Sequence, residues 1–130
     1  MSIGSERDLE GLRRAGRVVA LALAAARESL EPGMTTADVD RVAEAVLERH
    51  GARSAPRETY GFPGAICISV DDEAVHGIPG DRVLAAGDLV KLDVTVELDG
   101  YVAHAATKRA AYLVEPRKVV SWDHRRLVSQ

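Results

Sequence analysis

Asp93 sits in a strand-like run from Leu89 to Leu98, in which Leu92, Val94 and Val96 alternate with Asp93, Thr95 and Glu97. The Asp99-Gly100 pair that follows is a two-residue hairpin signal, so the chain from Tyr101 to Val114 is expected to return antiparallel. Closing the hairpin there pairs Leu98 with Tyr101, Thr95 with His104, and Asp93 with Ala106. Asp93 and His104 then become diagonal neighbours on one face. At the diagonal separation of about 7 to 8 Å, a carboxylate and an imidazole can converge on one divalent ion or a shared water. The competing reading is a solvated sheet face, where most ionisable strand residues lie.

Three further groups have candidate chemistry. His76 precedes Gly77 and, taken alone, reads as a loop histidine with a satisfied hydrogen bond. Cys67 is the only cysteine, which excludes an internal disulfide, and with no basic neighbour in sequence it reads as a small buried hydrophobe. His50 and His124 stand in no motif and are read as surface.

These residues need elements to position them. Ser5 with Asp8 three residues on is a variant of the helix capping box. Leu9, Leu12, Ala15, Val19, Ala22, Leu23, Ala26 and Leu30 then recur at helical spacing. Glu31-Pro32-Gly33 breaks this first helix. Thr35 or Thr36 can cap a second, with Val39, Val42, Ala43, Val46 and Leu47 on one face and Gly51 as its stop. After Ala52 a turn-rich passage ending at Gly64 leads into a β-prone run, Ala65 to Val70. Pro79-Gly80 and Ala86-Gly87-Asp88 then punctuate the way to the hairpin. The pattern predicts an α+β fold with two N-terminal helices packed on an antiparallel sheet.

With 130 residues the chain can bury one modest core. A net charge of -3 without massed arginines gives no case for nucleic acid or an anionic membrane. No apolar run approaches a membrane span, and a lone thiol with no apolar leader suggests a cytoplasmic setting.

The segment Lys91 to Tyr101, the string Glu73-Ala74-Val75-His76-Gly77-Ile78-Pro79-Gly80 and the run Phe62 to Val70 resemble, in order and spacing, three motifs of type I methionine aminopeptidases. Leu30 to Thr36 is similar to that family's opening segment, so the resemblance extends from about Leu9 to Val114. It implies the N-terminal half of a creatinase/aminopeptidase, or pita-bread, fold in residues 1–114. Residues 115–130 form a tail that could begin a helix. It also implies removal of N-terminal methionine from nascent proteins by metal-activated water. Asp93 would be a metal ligand, His76 the catalytic group that hydrogen-bonds the substrate near its scissile amide, and Phe62 and Cys67, with His76, the substrate-binding residues. The cofactor implied is a divalent metal (cobalt, manganese, iron or zinc), and the substrate an N-terminal methionyl peptide. An apolar slot bounded by an aromatic ring and a thiol suits an unbranched thioether.

Two departures shape the expectation. Where the family places a second, metal-bridging aspartate, this chain has His104, and an imidazole cannot bridge two ions as a carboxylate does. The family's remaining ligands, a histidine and two glutamates, belong to a second half. The chain is therefore expected to be truncated and inactive alone, completed by a homo-oligomer or a separately encoded C-terminal half. The alternatives are a non-catalytic peptide- or protein-binding module derived from the family, or a truncated gene product.

Overall fold

The computed structural model describes residues 4–71, 77–106 and 112–115. His76, His124 and the tail from residue 116 onward lie outside the described residues.

The first helix, α1 (Glu6–Ser29), starts where the Ser5 hydroxyl accepts the Asp8 amide at 3.2 Å. The Asp8 carboxylate accepts from the Gly4 amide instead of that of Ser5, so the expected box is displaced by one residue. Its buried stripe is Gly11, Ala15, Val18, Val19, Ala22 and Ala26, small residues that let the helix axis approach the sheet. Of the stripe read from the sequence, Leu9, Leu12 and Leu23 are only half-buried. Gly11 went unread, and its reason is tertiary: a side chain there would overlap the ring of Tyr101, whose hydroxyl donates to Asp8 at 2.8 Å.

Helix α2 (Thr36–Arg49) is capped by Thr35, with a complete capping box to Asp38. Gly51 follows in the left-handed region at φ 71°, the stop expected of it. The same N-terminus grips a distant segment. Thr36 and Ala37 donate backbone amides to Arg82 and Gly80, and the Thr36 hydroxyl accepts from the Gly80 amide at 2.8 Å.

Five strands follow: β1 (Arg53–Ser54), β2 (Cys67–Val70), β3 (Leu89–Leu98), β4 (Tyr101–Ala106) and β5 (Tyr112–Leu113), with a short helix, α3 (Ala55–Tyr60), after β1. All pairings are antiparallel and all are to β3. Since β2 and β4 both pair at Asp93, they lie on opposite edges of β3. By the same logic β1 shares the edge of β2 and β5 that of β4. Leu92, Val94 and Val96 are wholly buried, in one cluster with Ile68, Val70 and the apolar faces of α1 and α2. This is the α+β arrangement predicted.

Two details differ from the expectation. The turn-rich passage contains α3, capped by the Ser54 hydroxyl with Pro56 in its first turn. Strand β2 begins at Cys67, because Ala65 and Ile66 direct their amides to a side chain and not to a ladder. The expected antiparallel return is present as β4 and β5, both paired with β3, and residues 107–111 between them lie outside the described residues.

Candidate functional site

The register across the hairpin is Leu98 to Tyr101, Thr95 to His104 and Asp93 to Ala106, as predicted. It follows from the Asp99-Gly100 turn, whose φ angles of 54° and 88° match a type I′ hairpin. Both Asp93 and His104 therefore project from the face opposite the core, and they meet: His104 Nε2 lies 2.8 Å from Asp93 Oδ1. The side chains are 50% and 41% exposed for His104 and Asp93 respectively, so the contact is worth at most about 1 kcal/mol to stability. Its interest is chemical.

Cys67 joins the same face, because it is the direct cross-strand partner of Asp93 on the other edge. It is buried, at 5% exposure. Burial, with the negative charges of Asp93 and Asp40 added, pushes its thiol up to about 11. At neutral pH the sulfur is overwhelmingly a protonated thiol that packs as a small apolar group and reacts slowly. Phe62, five positions before it, is also buried, and its ring meets that of Tyr60 edge to face at 6.4 Å. Gly77, the residue after His76, is pinned to β2: its carbonyl accepts from Ile68 at 2.9 Å and its amide donates to Ser69 Oγ. A side chain at Gly77 would strike the Ile68 carbonyl, so only glycine allows this approach.

Carboxylate oxygen and imidazole nitrogen are suitable donors for a divalent ion. Asp93 and His104 could occupy two positions on one such ion, and their spacing already brings the donors together. They do not fit a bridged pair of ions. Among the described residues no group of three or more His, Cys, Asp or Glu side chains is placed to hold a metal.

The sequence profile of metallopeptidase family M24 matches residues 10–113, which is most of the chain. The protein belongs to this family. It is similar to methionine aminopeptidase 2 of Bacillus subtilis, 49% identical over 102 residues, which is 78% of this chain and 41% of that protein. Among solved structures it superimposes on the methionine aminopeptidase of Thermotoga maritima with a TM-score of 0.81 and 30% identity, covering 91% of this chain and 47% of the other. A point variant of Escherichia coli aminopeptidase P, in complex with substrate, matches with a TM-score of 0.67 and 25% identity over 78% of this chain and 22% of its own. The helices and sheet of this M24 chain thus have the pita-bread fold, of which it spans about half.

One residue of this M24 chain escaped the sequence reading. Asp40 is buried within α2 and binds the backbone that leads to Cys67. A signal was present, because Asp40 adjoins the apolar stripe of Val39, Ala43 and Leu47 where an unpaired charge is costly.

Proposed function

We propose that this chain carries the methionine-binding wall and the first metal ligand of a methionine aminopeptidase-type site, and that on its own it binds without turning over peptide. The observation that carries the reading is the Asp93–His104 pair on the open face of β3 with Cys67 across from it. Asp93 is assigned as the metal ligand. His104 orients the Asp93 carboxylate and offers one further nitrogen donor. Cys67 and Phe62 are assigned to the side chain of an N-terminal methionine, and His76 to a hydrogen bond near the scissile amide. A bound divalent ion would supply Lewis acidity to a peptide carbonyl. Two protein donors leave such an ion loosely held, which is the ground for expecting no turnover. The setting we assign is the cytoplasm, where Cys67 stays reduced.

The same reading assigns a second half, from another copy or another chain, to the exposed side of β4. The support is an apolar groove between α1 and β4, lined by Val19, Leu23, Ala103 and Ala105. Sedimentation showing a dilute, stable monomer in the presence of metal would remove this part.

The test of the site is a calorimetric titration with manganese or cobalt. One weak ion per chain is expected, abolished by Asp93→Ala, and no heat from the wild type would sink the assignment. His104→Asp restores a carboxylate where the family has one and is expected to tighten binding. A second reading, a peptide-binding module without hydrolysis, is favoured by His104 itself, since it replaces the bridging group. Release of methionine from a methionyl peptide by the metal-loaded chain, lost in Asp93→Ala, would overturn both the module and the expectation of no turnover, whereas peptide binding that needs no manganese and survives Asp93→Ala would favour the module.

A further inference from the structure

Asp40 is a carboxylate that neither the metal nor the substrate assignments use. It projects from α2 with 7% exposure and grips two successive residues. The Ala65 amide donates to both its oxygens, at 3.0 and 3.1 Å, and the Ile66 amide donates to Oδ1 at 2.9 Å. The opposite side of Ala65 is held as well, because its carbonyl accepts from the buried Ser54 hydroxyl at 2.8 Å. Gly64 is squeezed between the two: a Cβ there would lie 2.8 Å from Pro79 Cγ and 3.4 Å from Asp40 Oδ1.

The stretch between Phe62 and Cys67 is therefore positioned by side chains of α2 and β1 and not by a strand ladder. Burial pushes the Asp40 carboxyl up in spite of the Ile66 and Ala65 amides that lower it, so a charge here works against the fold's stability. What it provides is Oδ1 as acceptor for both adjacent amides, with Oδ2 sharing that of Ala65. Asn would replace one of these oxygens with an NH2 donor, which cannot accept from the Ala65 amide.

We infer that Asp40 is a positioning residue, whose carboxylate fixes the Gly64–Ile66 backbone and thereby the relative placement of Phe62 and Cys67. The part of this that concerns methionine rests on the assignment of Phe62 and Cys67 as pocket walls. The geometric part does not.

In the full-length, isotope-labelled chain, Asp40→Asn is expected to speed amide exchange at Ala65 and Ile66 by about tenfold or more. That change is measured beyond any shared by core amides such as Val94, which report global opening. The rate at which iodoacetamide modifies Cys67 is expected to rise in the same variant. It should also rise in Ser54→Ala, which loosens Ala65 without altering charge. Methioninamide is expected to slow modification of Cys67 in the wild type and to do so less in Asp40→Asn. Exchange at Ala65 and Ile66 equal to wild type, after correction for global opening, overturns the positioning role whatever the other arms show. If methioninamide gives no protection to wild-type Cys67 while the exchange result holds, the pocket assignment falls and the grip of Asp40 on the segment stands.

Discussion

Along β3, Leu92, Val94 and Val96 are wholly buried, whereas Asp93, Thr95 and Glu97 on the other face stay partly open. One strand thus serves two surfaces with opposite demands. The buried face contributes packing that tolerates no loss of volume, and the open face contributes donors whose removal leaves the packing untouched. Stability and chemistry are separated by the two-residue period of the strand, so substitutions at adjacent positions should have effects of different kinds.

The sharpest way to break this comparison is Leu92→Ala, which should cost about 2 to 5 kcal/mol in urea unfolding. A loss below about 1 kcal/mol would mean that this face is not the core. Next comes Gly11→Ala, where the new methyl overlaps the Tyr101 ring and should cost about 1 to 3 kcal/mol. Thermal melts read that cost, and equal melting of mutant and wild type would show that the helix can shift away. Asp93→Asn should change stability by less than about 0.5 kcal/mol while weakening manganese binding at least about tenfold. A destabilisation like that of Leu92→Ala would merge the two faces.

The smallest effect concerns pH. The Thr35 backbone amide, then its hydroxyl, hold the Asp38 carboxyl below its ordinary value of 3.8. A carboxyl lowered in the folded state stabilises the fold above that ordinary value and loses its contribution as pH falls through the lower one. Asp38→Asn should therefore lower stability slightly at neutral pH and flatten the acid limb of the stability profile below about pH 4, so that variant and wild type converge in acid. An unaltered acid limb would remove the cap from the account.

How far the sequence carries depends on the range of the forces involved. The hairpin register was legible because Asp99-Gly100 and the alternation of β3 are local, and they place Thr95 opposite His104 without any tertiary information. The caps at Ser5 and Thr35 were legible for the same reason. Helix α3 was missed because none of its residues is buried, so it lacks the apolar stripe that marks a helix. Ala65 and Ile66 have a strand-like composition, yet their amides go to Asp40, 25 and 26 positions away, which no local pattern records. Within the site, Asp93 and His104 were brought to one face as the alternation implied, whereas Cys67 reaches it through a β2–β3 pairing that no local pattern records. Asp40 had only its awkward place beside an apolar stripe to betray it.

The bond from Tyr101 to Asp8 joins positions 93 apart and seats the hairpin on the first helix. A ribosome delivers α1 first and the hairpin much later. Until Tyr101 emerges, the shallow surface around Gly11 has nothing to receive, and closing so long a loop is a slow, late event. Nascent α1 therefore spends much of translation with part of its apolar side uncovered, and that interval is when the chain is most open to chaperones and to misassembly.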